Sequence, residues 1–301
     1  MNYYNEIKKE LIDNEVYKKI KDYSKNKYEL ERYYNVGKLL VEAQGGEARA
    51  KYGDGLIKEY SERLILDVGK KYNERTLRRI RQFYLLFKEE KWSPMATKLS
   101  WSHYTELLPI KDINKILYYI DICIKYNLSK RDLRYRIKLN EYERLDDNAK
   151  HKLINQEKPT IGDNIKHPIL IKNIYNTLDV TEKMLKNAIL EGIEDFLMEL
   201  GRGFTFIKSE YKIKLGNRYN YIDLLLFNIE FNCYVVVELK VTELRKDHIG
   251  QVMLYMNYID KNIKNHNHNK TIGIIIAKRD NKFVMEYCSD LRIYNTTYEL
   301  V

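Results

Sequence analysis

The chain lacks the features that would place it outside a reducing compartment or in a membrane. Of its 301 residues 3 are cysteine, at positions 123, 233 and 288. They are far apart, with neither metal-ligand spacing nor a disulfide framework, and read as buried thiols. No apolar run approaches the roughly 18 residues that a membrane span needs. The opening Met-Asn-Tyr-Tyr-Asn-Glu has no basic-then-apolar leader pattern, so a cytoplasmic protein is expected. Internal repeats are absent, and so is Gly-x-x-x-x-Gly-Lys, which gives no support to ATP-driven translocation. The first 145 residues offer no convincing strand pattern. His266 and His268 sit close together, but in Asn- and Lys-rich sequence that reads as an exposed loop. Hydrophobic residues make up 44% of the chain, enough for a folded protein with two cores.

Charge is plentiful and uneven. The formal net charge is +10. Residues 1–150 hold 32 Lys and Arg against 24 Asp and Glu, a surplus of 8; residues 151–301 hold 21 against 19, a surplus of 2. A basic excess attracts phosphate backbones and gives salt-dependent binding. It lies in the half that shows helical periods. One segment runs from about Tyr4 to Ala43 and stops at Gly45-Gly46. A second runs from about Ala48 to Val68. A third follows Asn73, a natural N-cap, with Leu77, Ile80, Tyr84 and Phe87 on one face. Arg75, Arg78, Arg79 and Arg81 spread over its other sides and are the candidate DNA contacts, since arginine serves both phosphate and guanine. A solvated basic face on a packing helix is the plainer alternative. Ser100 or Ser102 caps a helix containing Trp101 and Tyr104, aromatics that suit a core better than base stacking. Ser129 caps another, which carries Lys130, Arg131, Arg134, Arg136 and Lys138 as a second basic surface. From 146 to 168 turn residues cluster and periodicity fades, the pattern of a linker.

The second half carries the chemistry. Ile222-Asp223-Leu-Leu-Leu-Phe is one apolar strand pattern, and Val-Val-Val237-Glu238-Leu239-Lys240 is the next. Period-2 geometry puts Glu238 and Lys240 on one face and Leu239 on the other. Charges that converge in an apolar strand pair persist if they neutralise one another or if a cation joins them. Two carboxylates suit Mg²⁺, which takes oxygen ligands and keeps several waters. Asp223, Glu238 and the backbone carbonyl of Leu239 are the candidate ligands. Lys240 is placed to orient a water or to stabilise charge on phosphorus. Downstream, Asp247 to Tyr258 reads as a helix that puts Gln251 and Tyr255 on one face, and Thr271 to Ala277 as a buried strand.

The acid followed by Glu-x-Lys resembles the PD-(D/E)XK nucleases. Phe196-Leu-Met-Glu-Leu-Gly-Arg-Gly-Phe204, the Ile-Asp-Leu-Leu hairpin, Val-Glu-Leu-Lys240 and Gly250-Gln251 are similar to the C-terminal half of the YhcG-type nuclease family. Tyr34-Asn-Val-Gly37, Ala50-Lys-Tyr-Gly53, Leu77-Arg-Arg-Ile-Arg-Gln-Phe-Tyr84 and Leu99-Ser-Trp-Ser-His-Tyr104 resemble its N-terminal region. The resemblance covers about residues 30 to 295. It implies an α-helical DNA-binding domain over 1–150, winged-helix-like in one version, a linker over 151–170, and a restriction-endonuclease-like α/β domain with a central mixed sheet over 171–301. It further implies a Mg²⁺- or Mn²⁺-dependent deoxyribonuclease directed at foreign or mobile DNA. Gln251 then helps to orient the site or contacts DNA, and Tyr255 is a candidate DNA contact, with packing beside Val252 and Ile259 as the plainer alternative. A homodimer would cut both strands, and a defence-system protein is a candidate partner. One departure stands out. Where the family pattern places an acid on the first helix of the domain, this chain has Lys186; Glu182, one turn earlier, is the candidate replacement ligand. Two other readings stay open: a DNA-binding protein with an inactive core, and a subunit of a larger defence or recombination complex.

Overall fold

The computed structural model describes residues 3–17, 25–46, 54–88, 99–155 and 157–301. The chain divides into two compact units, Met1–Tyr142 and Glu143–Val301. Among the described residues the first unit is helical: α1 (Tyr3–Tyr17), α2 (Lys25–Ala43), α3 (Asp54–Asp67), α4 (Glu74–Phe87), α5 (Trp101–Leu107), α6 (Ile113–Tyr126) and α7 (Lys130–Lys138). It has no strand among those residues, so the wing of a winged helix is not found there. The expected helix start at Ala48 and the string Ala50–Gly53 lie outside the described residues.

Helix α4 begins where the sequence puts it. The Asn73 side chain accepts the Thr76 N–H at 3.1 Å, and Leu77, Ile80, Phe83 and Phe87 are buried. Its buried stripe packs against α2, and Gly37 explains how closely. A Cβ there would lie 2.5 Å from the Ile80 carbonyl oxygen and 2.6 Å from Tyr84 Cβ. Trp101 and Tyr104 belong to the same core. The Trp101 ring lies 4.6 Å from Tyr33 and 5.5 Å from Phe83, and Tyr104 is fully buried.

The second unit contains α8 (Asp147–Asn155), β1 (Ile169–Ile171), α9 (Glu182–Glu191), α10 (Ile193–Leu200), β2 (Phe204–Leu215), β3 (Arg218–Asn228), β4 (Cys233–Glu243), α11 (Lys246–Asn262), β5 (Ile272–Arg279), α12 (Lys282–Glu286) and β6 (Ile293–Leu300). Its strands form one mixed sheet in the order β1-β6-β5-β4-β3-β2. β2, β3 and β4 form an antiparallel meander, and β5 runs parallel to β4. Alternation sorts the core onto two faces. Val235, Val237 and Leu239 meet Leu185, Ile189 and Phe196 on the α9–α10 side. Val236 and Ile275 meet Val252, Met256 and Ile259 on the α11 side.

Residues 151–170, expected as a linker, lie inside this unit. They end α8 and lead into β1, which pairs parallel with β6 at the sheet edge. A buried ion pair helps hold this segment. Arg144 donates to the Glu199 carboxylate, and the Leu170 N–H donates to Glu199 Oε2 at 3.0 Å. Burial raises the Glu199 carboxyl, but Arg144 and Lys166 outweigh it and hold the group below the ordinary range.

Candidate active site

The site forms where the sheet forks. The β3–β4 ladder runs from Asn228↔Cys233 to Leu224↔Val237 and stops, whereas β4 keeps pairing with β5 to Lys240↔Ala277 and beyond. At the fork a side chain replaces the ladder: Asp223 Oδ2 accepts the Leu239 N–H at 3.0 Å. Asp223 thus lies within β3, one residue past its last pairing with β4. Glu238 faces it from β4 and is 2% exposed. Lys240 donates to Glu238 Oε1 at 2.8 Å, the contact expected from period 2. Glu238 Oε2 is buried without a hydrogen-bond partner.

The electrostatics follow from that burial. Desolvation, then the charge of Asp223, push the Glu238 carboxyl up to about 7, against the pull of Lys240. Burial by itself would lower Lys240, but its hydrogen bond to Glu238 and the charges of Glu238, Glu182 and Asp223 raise it. Helix α9 supplies the other wall. The Thr181 side chain caps it by accepting the Met184 N–H at 3.2 Å. Glu182, in its first turn, lies 3.5 Å from Lys240. One turn on, Lys186 Nζ sits 2.7 Å from Glu210 Oε1 and 3.4 Å from Asp223 Oδ1. Burial opposes the charge on Lys186, and these acids raise its pKa nonetheless. Glu210, in turn, is held below the ordinary carboxyl range by Lys186.

Glu210 was not visible as a site residue in the sequence. By register it stands opposite Asp223, between the pairs Ser209↔Leu224 and Tyr211↔Ile222, with a left-handed φ of 48°. The ribbon turns over here. Leu224 belongs to the α9–α10 side of the core and Ile222 to the α11 side. His248 was also missed. It is 3% exposed, and its Nδ1 accepts the Arg245 N–H at 3.2 Å. Burial lowers its pKa, and it feels both Lys240 and Glu182. The spacing of His248, Gln251 and Tyr255 along one helix stripe was the available signal.

Gln251 Nε2 donates to Tyr255 Oη at 3.0 Å. Tyr255, a candidate DNA contact by sequence, is 4% exposed and packs in the α11-side core. Burial raises its phenol, Gln251 lowers it, and Glu238 and Asp223 raise it further; it lies beneath the site rather than on a surface. The α4 arginines separate. Arg78 is paired with Glu74 at 2.7 Å, and Arg81 donates to Gln44 at 2.6 Å. Arg75 is exposed and Arg79 half-buried. The second basic surface is partly consumed as well. Lys130 and Arg134 pair with Glu106, and Arg136 is buried against Glu141.

Among the described residues no three His, Cys, Asp or Glu side chains cluster tightly enough to hold a metal by themselves. A hard divalent ion that keeps most of its water needs fewer protein donors. Asp223 and Glu238, one with an orphaned buried oxygen, fit that requirement.

A family model for the YhcG PDDEXK nuclease domain matches residues 162–299, and one for the DUF1016 N-terminal domain matches residues 8–144. Residues 162–299 thus belong to the YhcG PDDEXK nuclease domain family. A curated relative in Escherichia coli (strain K12), "Putative nuclease YhcG", is 26% identical over 282 residues, 81% of this chain and 75% of that one. Two solved structures are similar at 19% identity. A repair endonuclease from Pyrococcus abyssi has a TM-score of 0.30 over 42% of this chain and 50% of that one. An EndoMS–dsDNA2 complex has 0.32 over 43% and 49%; the chain thus spans about half of each. The YhcG nuclease match encloses every element of the fork, from α9 to β5. No described helix is long and apolar enough to cross a membrane.

Proposed function

We propose that this chain is a metal-dependent DNA endonuclease that hydrolyses phosphodiester bonds at the β3–β4 fork. The observation that carries the proposal is the convergence of Asp223, Glu238 and Lys240, with a buried carboxylate oxygen left without a partner. Asp223 and Glu238, with the Leu239 carbonyl, would hold Mg²⁺ or Mn²⁺, and Glu182 is near enough to Lys240 to close the same wall. When bound, the ion supplies Lewis-acid stabilisation and a more acidic water.

The chain's own residues do the rest. Lys240, charged at neutral pH and anchored on Glu238, donates to a phosphate oxygen as negative charge builds there. In the metal-free chain burial and Asp223 push the Glu238 carboxyl up to about 7, so its oxygens become stronger ligands as pH rises. Tyr255 fixes the amide of Gln251, which supports the site from below. Arg75 and Arg79 on α4 are the proposed backbone-phosphate contacts. The domain assignment proposed is a DNA-binding helical part and a nuclease part. The setting proposed is the cytoplasm, acting on foreign or mobile DNA as a homodimer or with a defence-system partner.

Lys186 favours a second reading, a DNA-binding protein with an inactive core, because its ammonium already neutralises Asp223. Cleavage assays with the Asp223→Ala variant separate the two. Loss of metal-dependent cleavage with DNA binding retained supports the nuclease. Cleavage unchanged by the substitution rules out this site.

A further inference from the structure

The β2–β3 ribbon outruns its neighbours. Its pairing continues to Leu215↔Arg218, well beyond the last β3–β4 pair at Leu224↔Val237. Residues 211–222 are therefore a two-stranded arm with Asp223 at its root. One face of the arm is anchored, with Ile213 and Ile222 buried in the α11-side core beside Tyr211 and Leu215. The other face is open. Register pairs Lys212 with Tyr221 and Lys214 with Tyr219, and all four are exposed. Tyr219 is 55% exposed and Tyr221 52%.

The chemistry of that face is uniform. From Lys208 to Tyr221 the chain carries four basic residues against a single acid, Glu210, and register puts two of the four, Lys212 and Lys214, on the open face. That acid is engaged by Lys186. Lys212 Nζ lies 3.8 Å from the centre of the Tyr219 ring, a cation–π contact. Two rings two residues apart on a strand stand about 6.8 Å apart along it, twice the ~3.4 Å rise per nucleotide of B-form DNA. Stacked duplex bases offer no faces to such rings, whereas unstacked bases do. Lysines interleaved with aromatics supply the phosphate contacts that a strand so held requires.

We propose that this open face of the β2–β3 arm is a binding subsite for single-stranded DNA adjoining the cleavage point. Tyr219 and Tyr221 stack on its bases, and Lys212 and Lys214 contact its phosphates. Tyr221 is two residues from Asp223, so a strand lying on the arm leads into the fork. The preferred substrate is then a junction between duplex and single strand, such as a flap, gap or frayed end. The inference deepens the nuclease reading and rests on it for the chemistry at Asp223, but the binding it predicts does not need cleavage.

The test is equilibrium binding of a labelled single-stranded oligonucleotide and of a duplex of the same length, in EDTA, by the full chain. Tyr219→Ala with Tyr221→Ala should weaken single-strand binding by at least about 25-fold, at about fivefold or more per base stacked. Duplex binding should stay within about twofold. The Tyr→Phe pair, which keeps both rings, should bind like the wild type. Lys212→Gln with Lys214→Gln should lower the salt slope for the single strand by about 1.4. Single-strand affinity unchanged by the alanine pair would overturn the proposal, and so would an equal loss on duplex or an equal loss with phenylalanine. Cleavage with Mn²⁺ is scored separately on the same variants. An arm that binds as predicted in a chain that never cuts DNA sinks the nuclease reading alone. Cutting by a chain whose single-strand affinity ignores the tyrosines sinks the arm alone.

Discussion

Replacing Glu238 by Gln should make the metal-free protein less sensitive to alkali. The buried carboxyl is pushed from its ordinary 4.5 to about 7, which at 1.36 kcal/mol per pH unit corresponds to about 3 kcal/mol. Between those two values the folded chain holds a proton that the unfolded chain has released. The stabilisation is therefore complete below the ordinary carboxyl value and is lost as pH rises through about 7. Gln cannot ionise, and its oxygen can still accept from Lys240, so it stands in for the protonated acid. Urea unfolding in EDTA at pH 5 and pH 8 reads the difference. The wild type should lose roughly 2–3 kcal/mol more than Glu238→Gln over that interval, because other titrating groups are common to both proteins. A gap under about 0.5 kcal/mol would refute the reasoning, since Glu238 would then ionise as an ordinary surface carboxyl does.

Lys186→Met should tighten Mn²⁺ binding about tenfold or more, measured by electron paramagnetic resonance titration. The ammonium lies 3.4 Å from Asp223, a pair worth at most about 5 kcal/mol at an effective dielectric of 20, and tenfold needs only ~1.4 kcal/mol. Equal or weaker binding would show that the lysine does not compete with the ion. Glu199→Ala should destabilise the second unit by about 3–5 kcal/mol, because it withdraws the carboxylate that faces buried Arg144. A loss below about 1 kcal/mol by urea unfolding would place little weight on that pair.

Local geometry made much of the site legible. Period 2 alone puts Glu238 and Lys240 together, and the N-cap signal at Asn73 starts α4 where it is observed. Arg78 was expected as a DNA contact and Glu74, four residues earlier, was overlooked; their ion pair removes that arginine from the proposed DNA face. What stayed hidden depends on long-range pairing. Glu210 reaches the site because β2 lies in register with β3 and Glu210 takes a left-handed φ, which no hydrophobic period reports. The turn-rich segment after residue 146 looked like a linker because nothing local says that β1 will join β6, about 130 residues away. Tyr255 looked available from helix spacing alone, and only the packing of α11 on the sheet shows it buried.

The central claim is tested most directly by incubating plasmid and branched DNA with wild type, Asp223→Ala and Lys240→Ala, each with Mg²⁺, Mn²⁺ or EDTA. The account predicts cutting by the wild type with metal, none in EDTA, and none by either variant although both still bind DNA. Wild-type protein that binds these DNAs and cuts none of them with either metal would contradict it, as would cutting that survives both substitutions.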